Sequence, residues 1–234
     1  MDEFLRQYYF LITYSVELLA AVTGIFCYKQ YKNTVAKYLI FYLIYVFLID
    51  FFGRYPTYFK TLEIDYLIKN TVFEKNYLWY AIFGALGRML FFLVYFKKVL
   101  KNELFNKVYS YISYFLICIS VISVIVGIEQ FYQKSSSFLS INSSISIILG
   151  AILFLVELLQ TDKILNFYQS INFYMSSILL IWLLIITPLT FYEIYFSTAD
   201  WNFVFLKWQI YLFANIFMYL TFTVALILCK PKNV

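Results

Sequence analysis

Seven stretches of the chain are apolar almost without interruption, and the polar positions gather between them. They run Tyr8 to Tyr28, Thr34 to Phe52, Tyr77 to Phe96, Val108 to Ile128, Asn142 to Gln160, Ile171 to Tyr195 and Trp208 to Cys229. About 20 mainly apolar residues span a bilayer as a helix. A spanning segment must also satisfy its own backbone hydrogen bonds, which a helix does. The pattern predicts an all-α, polytopic membrane protein: one domain formed by a bundle of seven transmembrane helices.

The connections add less. The longest, Gly53 to Asn76, carries Phe59, Leu62, Tyr66 and Lys69 at helical spacing between Lys60, Glu63 and Asp65. That spacing predicts a short amphipathic helix at the membrane interface, a structured linker whose functional counterpart is a lid over a mouth. Gln133-Lys134-Ser135-Ser136-Ser137 reads as a flexible polar link. No connection is long enough for a kinase, cyclase or DNA-binding domain, so a signalling role requires a partner.

Composition agrees with the membrane reading: 63% of the 234 residues are hydrophobic and 13% charged, against roughly a quarter charged in soluble domains. The lysines sit at the ends of apolar runs, so the net charge of +5 is a topology signal and not a nucleic-acid footprint. The first, third and fifth connections and the tail hold Lys29, Lys32, Lys37, Lys97, Lys98, Lys101, Lys107, Lys163, Lys230 and Lys232, against Glu103, Asp162 and Glu157. The opposite side balances its cations with more acids. The bias predicts an external N-terminus and a cytoplasmic C-terminus in a cell membrane, most simply a bacterial inner membrane. The basic loops, through Lys29, Lys32, Lys97, Lys98 and Lys101, are the expected surface for a protein partner. Met1-Asp2-Glu3 is acidic, which predicts that the first apolar run stays as a helix and is not a cleaved signal.

Several chemistries are excluded by pattern. There is no histidine, and Cys27, Cys118 and Cys229 have no metal spacing, so no metal site or cofactor is expected. HExxH, GxSxG and Walker sequences are absent, which predicts a non-enzyme. A retinal protein needs a lysine inside its seventh helix, and Lys207 and Lys230 only bracket this one. Asn215-Ile216-Phe217-Met218-Tyr219 has the spacing of the Asn-Pro-x-x-Tyr motif of G-protein-coupled receptors but lacks its proline.

What remains is a set of polar residues inside the apolar runs. Ala81, Gly84, Ala85 and Arg88 follow i, i+3, i+4, i+7 spacing, as do Glu17, Ala20, Ala21 and Gly24. Small stripes let helices approach closely, and an intramembrane charge demands an answer. Glu17 is nine residues into its segment, Arg88 eleven and Asn215 seven, which places them within roughly 6 Å in depth. The expectation is that helix one packs near helix three, that Glu17 pairs with Arg88, and that Asn215 joins them. Ser143, Ser146, Gly150 and Glu157 lie roughly on one face of the fifth segment, and Glu157, near its inner end, is counted with Glu17, Arg88 and Asn215 in the polar cluster. Pro188 should kink the sixth helix, as a fixed bend or a hinge. Val16-Glu17-Leu18-Leu19 recurs as Val156-Glu157-Leu158-Leu159, hinting at a repeat of helices one to three in five to seven. Two functions fit: a sensor or accessory subunit acting through a partner, or a transporter or channel using the mid-membrane cluster.

Overall fold

The computed structural model describes residues 2–132, 136–192 and 201–229. Seven of its helices are long and apolar enough to cross a membrane. We label them α1 (Asp2–Tyr31), α2 (Lys37–Gly53), α3 (Tyr77–Val99), α4 (Glu103–Val126), α5 (Ser137–Leu159), α6 (Ile171–Tyr192) and α7 (Trp201–Leu228). The predicted residues 193–195 of the sixth helix, and 133–135 of the polar link, lie outside the described residues.

Helix ends follow capping chemistry more closely than hydropathy. α4 starts before its apolar run because Asn102 caps it, accepting from the backbone N–H groups of Leu104 (2.9 Å) and Phe105 (3.2 Å). Ser136 caps α5 in the same way through Leu139.

The largest departure is in α2. Its span does not stop at Phe52. After Gly53 and Arg54 a short helix, Tyr55–Thr61, resumes with Pro56 in its first turn, where proline is tolerated. Together Lys37–Thr61 form one 25-residue span, so Asp50 lies inside it. The short helix ends in a Schellman motif. Glu63 adopts a left-handed φ of 59°, Ile64 N–H donates to Phe59 O (2.9 Å) and Glu63 N–H to Lys60 O (3.2 Å). The helix predicted over Phe59, Leu62, Tyr66 and Lys69 is therefore cut in two, with only a turn at Asp65–Leu67 beyond it. Leu62, Tyr66 and Leu67 are exposed, as an interfacial segment requires.

The helices form a ring. α1 packs against α2 and α7, α7 against α6, α6 against α5, α5 against α3, and α3 against α2; α4 stands outside, on α3 and α5. Tyr42, Phe92, Tyr95, Phe96, Phe154, Leu179, Met218 and Phe222 fill the centre. Outward faces carry Phe26, Val126, Phe213 and Leu228, all strongly exposed. Such faces are untenable in water over this extent and natural against lipid. At the lysine-rich end the Tyr31 hydroxyl donates to the carbonyls of Leu226 and Cys229, tying the last turn of α7 to α1.

The small stripe of α1 faces α2 and not α3: a Cβ on Gly24 would meet Ile40. The stripe of α3 is also redirected. Tyr80–Gly87 is π-helical, with i→i+5 hydrogen bonds and more residues per turn. Spacing that aligns residues on an α-helix therefore fails there. Ala81 and Ala85 bury against Val124, Phe131 and Leu139, on the α4–α5 side.

Candidate functional site

Two polar groups occupy the middle of the bundle. The first joins α1 and α2. The Tyr14 hydroxyl donates to the backbone carbonyl of Asp50 (3.1 Å), which brings the helices into register around Glu17, one turn further along α1. Glu17 is 1% exposed, and its carboxyl lies beside the Asp50 carboxyl and the Tyr219 hydroxyl of α7. Its Oε2 atom has no hydrogen-bond donor. Two carboxyl groups side by side are both acceptors unless one holds a proton, so this contact leaves an oxygen unsatisfied. The Tyr80 hydroxyl of α3 lies beside Asp50 from the other side.

The second group surrounds Arg88, the first residue after the π segment. Its Nε donates to Ser143 Oγ on α5 at 3.4 Å. Its guanidinium lies 5.6 Å from the Trp182 ring of α6, a cation–π distance. Trp182 Nε1 in turn donates to Asn215 Oδ1 on α7 at 2.8 Å. The Arg88 charge also acts on the Asp50 carboxyl without closing on it.

Three expectations are corrected. Glu17 and Arg88 do not form an ion pair; the one pair within 4 Å among the described residues is the exposed Glu103–Lys107 at 3.6 Å. The π segment and the facing of α1 onto α2 keep them on different neighbours. Asn215 joins Arg88 only through Trp182. Glu157 is not in the cluster. Its oxygens accept from the backbone N–H of Lys101 (2.9 and 3.1 Å) and Asn102 (3.1 Å), just ahead of α4. A carboxylate there satisfies free N–H groups and meets the positive end of the helix dipole. The two Val-Glu-Leu-Leu copies therefore sit at different depths and do different things.

Of the other predicted residues, Ser143 touches Arg88, and Ser146 shares a hydrogen bond with Ser113 (3.0 Å). Pro188 sits inside a continuous α6, on an exposed face. The residue missed was Asp50. Its signal was present: apolar residues continue past it through Phe51, Phe52, Tyr55 and Phe59, but Gly53-Arg54-Tyr55-Pro56 reads as a break.

The π segment is braced from α2. Tyr45 Oη donates to Phe83 O at 2.7 Å, and a Cβ on Gly87 would overlap that hydroxyl. Trp79 Nε1 and Asn76 Nδ2 donate to the carbonyls of Ile49 (3.0 Å) and Gly53 (2.9 Å), closing the end of α2.

Two clefts open at the end opposite the loops that carry Lys29, Lys32, Lys97, Lys98 and Lys101. One, of about 390 Å³, is lined by Phe10, Arg54, Pro56, Thr57, Glu74, Lys75, Asn76, Tyr77 and Tyr80. The other, about 510 Å³, lies between Pro56 and Glu74. The long connection thus builds the mouth, and Tyr80 stands between the first cleft and Asp50. Lys29, Lys32, Lys97, Lys98 and Lys101 are exposed at the opposite end. Among the described residues no group of three or more metal-ligating side chains forms. No protein-family model, curated protein or solved structure matches this chain.

Proposed function

We propose that this integral membrane protein is a carrier or channel for a small polar solute, with its site between the Glu17–Asp50 pair and Arg88. One observation supports this above others. Opposite charges in mid-span are held apart instead of neutralising each other: Glu17 Oε2 lacks a donor while Arg88 rests on a neutral hydroxyl and an indole. An architectural pair would have closed, because unpaired charge in the membrane is costly. Arg88, Ser143, Trp182 and Asn215 suit the anionic end of a solute, with forked donors and an aromatic wall. In this reading Tyr80 closes the floor of the mouth, which faces outside on the lysine bias.

Proteoliposomes loaded with radiolabelled acetate, lactate, alanine or glutamate provide the test. Flux of at least one solute is expected in the wild type, falling roughly tenfold or more in Arg88→Gln. Flux indistinguishable from protein-free vesicles for the whole panel removes the carrier reading. An Arg88-dependent thermal shift with a member of that panel, without flux, assigns the site to a sensor that reports through a partner.

A further inference from the structure

We propose that Glu17 and Asp50, flanked by the hydroxyls of Tyr80 and Tyr219, hold one small monovalent cation at the centre of the bundle. The inference rests on the transport reading for its purpose, since it makes solute movement cation-coupled, but its test is binding and not flux.

Charge counting leads to it. The charged side chains at the pair are Glu17, Asp50 and Arg88, while Arg54, one turn beyond Asp50, is taken up by the rings of Phe10 and Tyr14 at 4.4 and 5.7 Å. Two carboxylates and one guanidinium leave a deficit of one positive charge. Arg88 does not close on either carboxylate, so one cation between the carboxyls completes the balance. A second observation is independent of the charges: Glu17 is buried, its carboxyl lies beside that of Asp50, and its Oε2 atom has no donor. Either a bound proton or a bound sodium ion satisfies that oxygen. With Arg88 nearby, a divalent ion between the two carboxylates would overshoot the charge balance that a monovalent one completes. The neighbouring hydroxyls supply further oxygens, Tyr219 from α7 and Tyr80 from α3. Tyr80 also lines the mouth cleft, so the site lies one side chain from an entrance. The titratable and charged groups facing the pair are Tyr9 and Tyr14 on α1, Tyr42 on α2, Arg54 against Tyr14 just beyond α2, Tyr80 and Arg88 on α3, and Tyr219 on α7.

Thermal unfolding of the purified full chain in detergent tests this with two arms. In the first, NaCl replaces choline chloride at constant ionic strength and fixed pH. In the second, pH is lowered in choline chloride alone. A ligand that binds only the folded state raises Tm with the logarithm of its concentration. Sodium-dependent stabilisation that weakens as pH falls identifies a sodium site on which protons compete. Stabilisation in the pH arm alone identifies a proton site. Either shift should disappear in Glu17→Gln and in Asp50→Asn and persist in Glu103→Gln, an exposed acid at the far end. Should the interior variants not fold, infrared carboxyl bands of the wild type, recorded with and without sodium and across pH, give the same decision. No response in either arm, or a response unchanged in both interior variants, overturns the site. Flux failure with the cation shift intact removes the carrier reading and leaves the site standing.

Discussion

At the scale of single residues, side chains here are fixed by what they complete. Gly87 leaves room for the Tyr45 hydroxyl, which caps the Phe83 carbonyl in the π segment. Gly87→Ala should therefore cost about 1–3 kcal/mol, as overpacking does, seen as a lower Tm in detergent. Tyr45→Phe on top of it should recover part of that loss by removing the clashing oxygen, despite orphaning the carbonyl. Additive losses in the double variant would show that the two do not meet. Glu157 completes the loop ahead of α4. Glu157→Gln should lower stability by about 1 kcal/mol while leaving solute binding at Arg88 unchanged, as isothermal titration would report.

At the scale of elements, the decisive features are the π segment of α3 and the continuation of α2. Both rotate or reposition charge that simple helical counting misplaces. The packing of α1 on α2 can be checked directly. A Cβ at Gly24 would lie 3.6 Å from that of Ile40, within disulfide range. Gly24→Cys with Ile40→Cys, in a chain with Cys27, Cys118 and Cys229 replaced by serine, should oxidise to an intramolecular disulfide, visible as a gel shift reversed by reductant. Failure to cross-link would argue for the alternative in which the small face of α1 turns toward α3.

At the scale of the whole molecule, the bundle has a polar mouth at one end and a lysine fringe at the other. With the mouth outside, Lys75→Cys should react with an impermeant maleimide in intact cells, and Lys101→Cys only after permeabilisation. The reverse labelling pattern would invert the topology. The seven spans were legible in the sequence because transfer into lipid is nearly additive along a chain: each apolar residue contributes wherever its neighbours lie. The place of Glu17, Arg88 and Asn215 inside the spans was legible for the same reason, since each breaks an apolar run. Their partners were not. Which side chains meet depends on the rotation of each helix, and the π segment turns Arg88 toward Ser143 and Trp182 in a way no α-helical spacing encodes. Asp50 was hidden by a proline that ends a helix in most contexts but here sits in the first turn of the next. The sequence by itself determined a seven-helix membrane bundle with costly charge at its centre. Only the tertiary structure decided that this charge stays divided between an acid pair and an arginine, because helix rotation and neighbour contacts are properties of the assembled bundle.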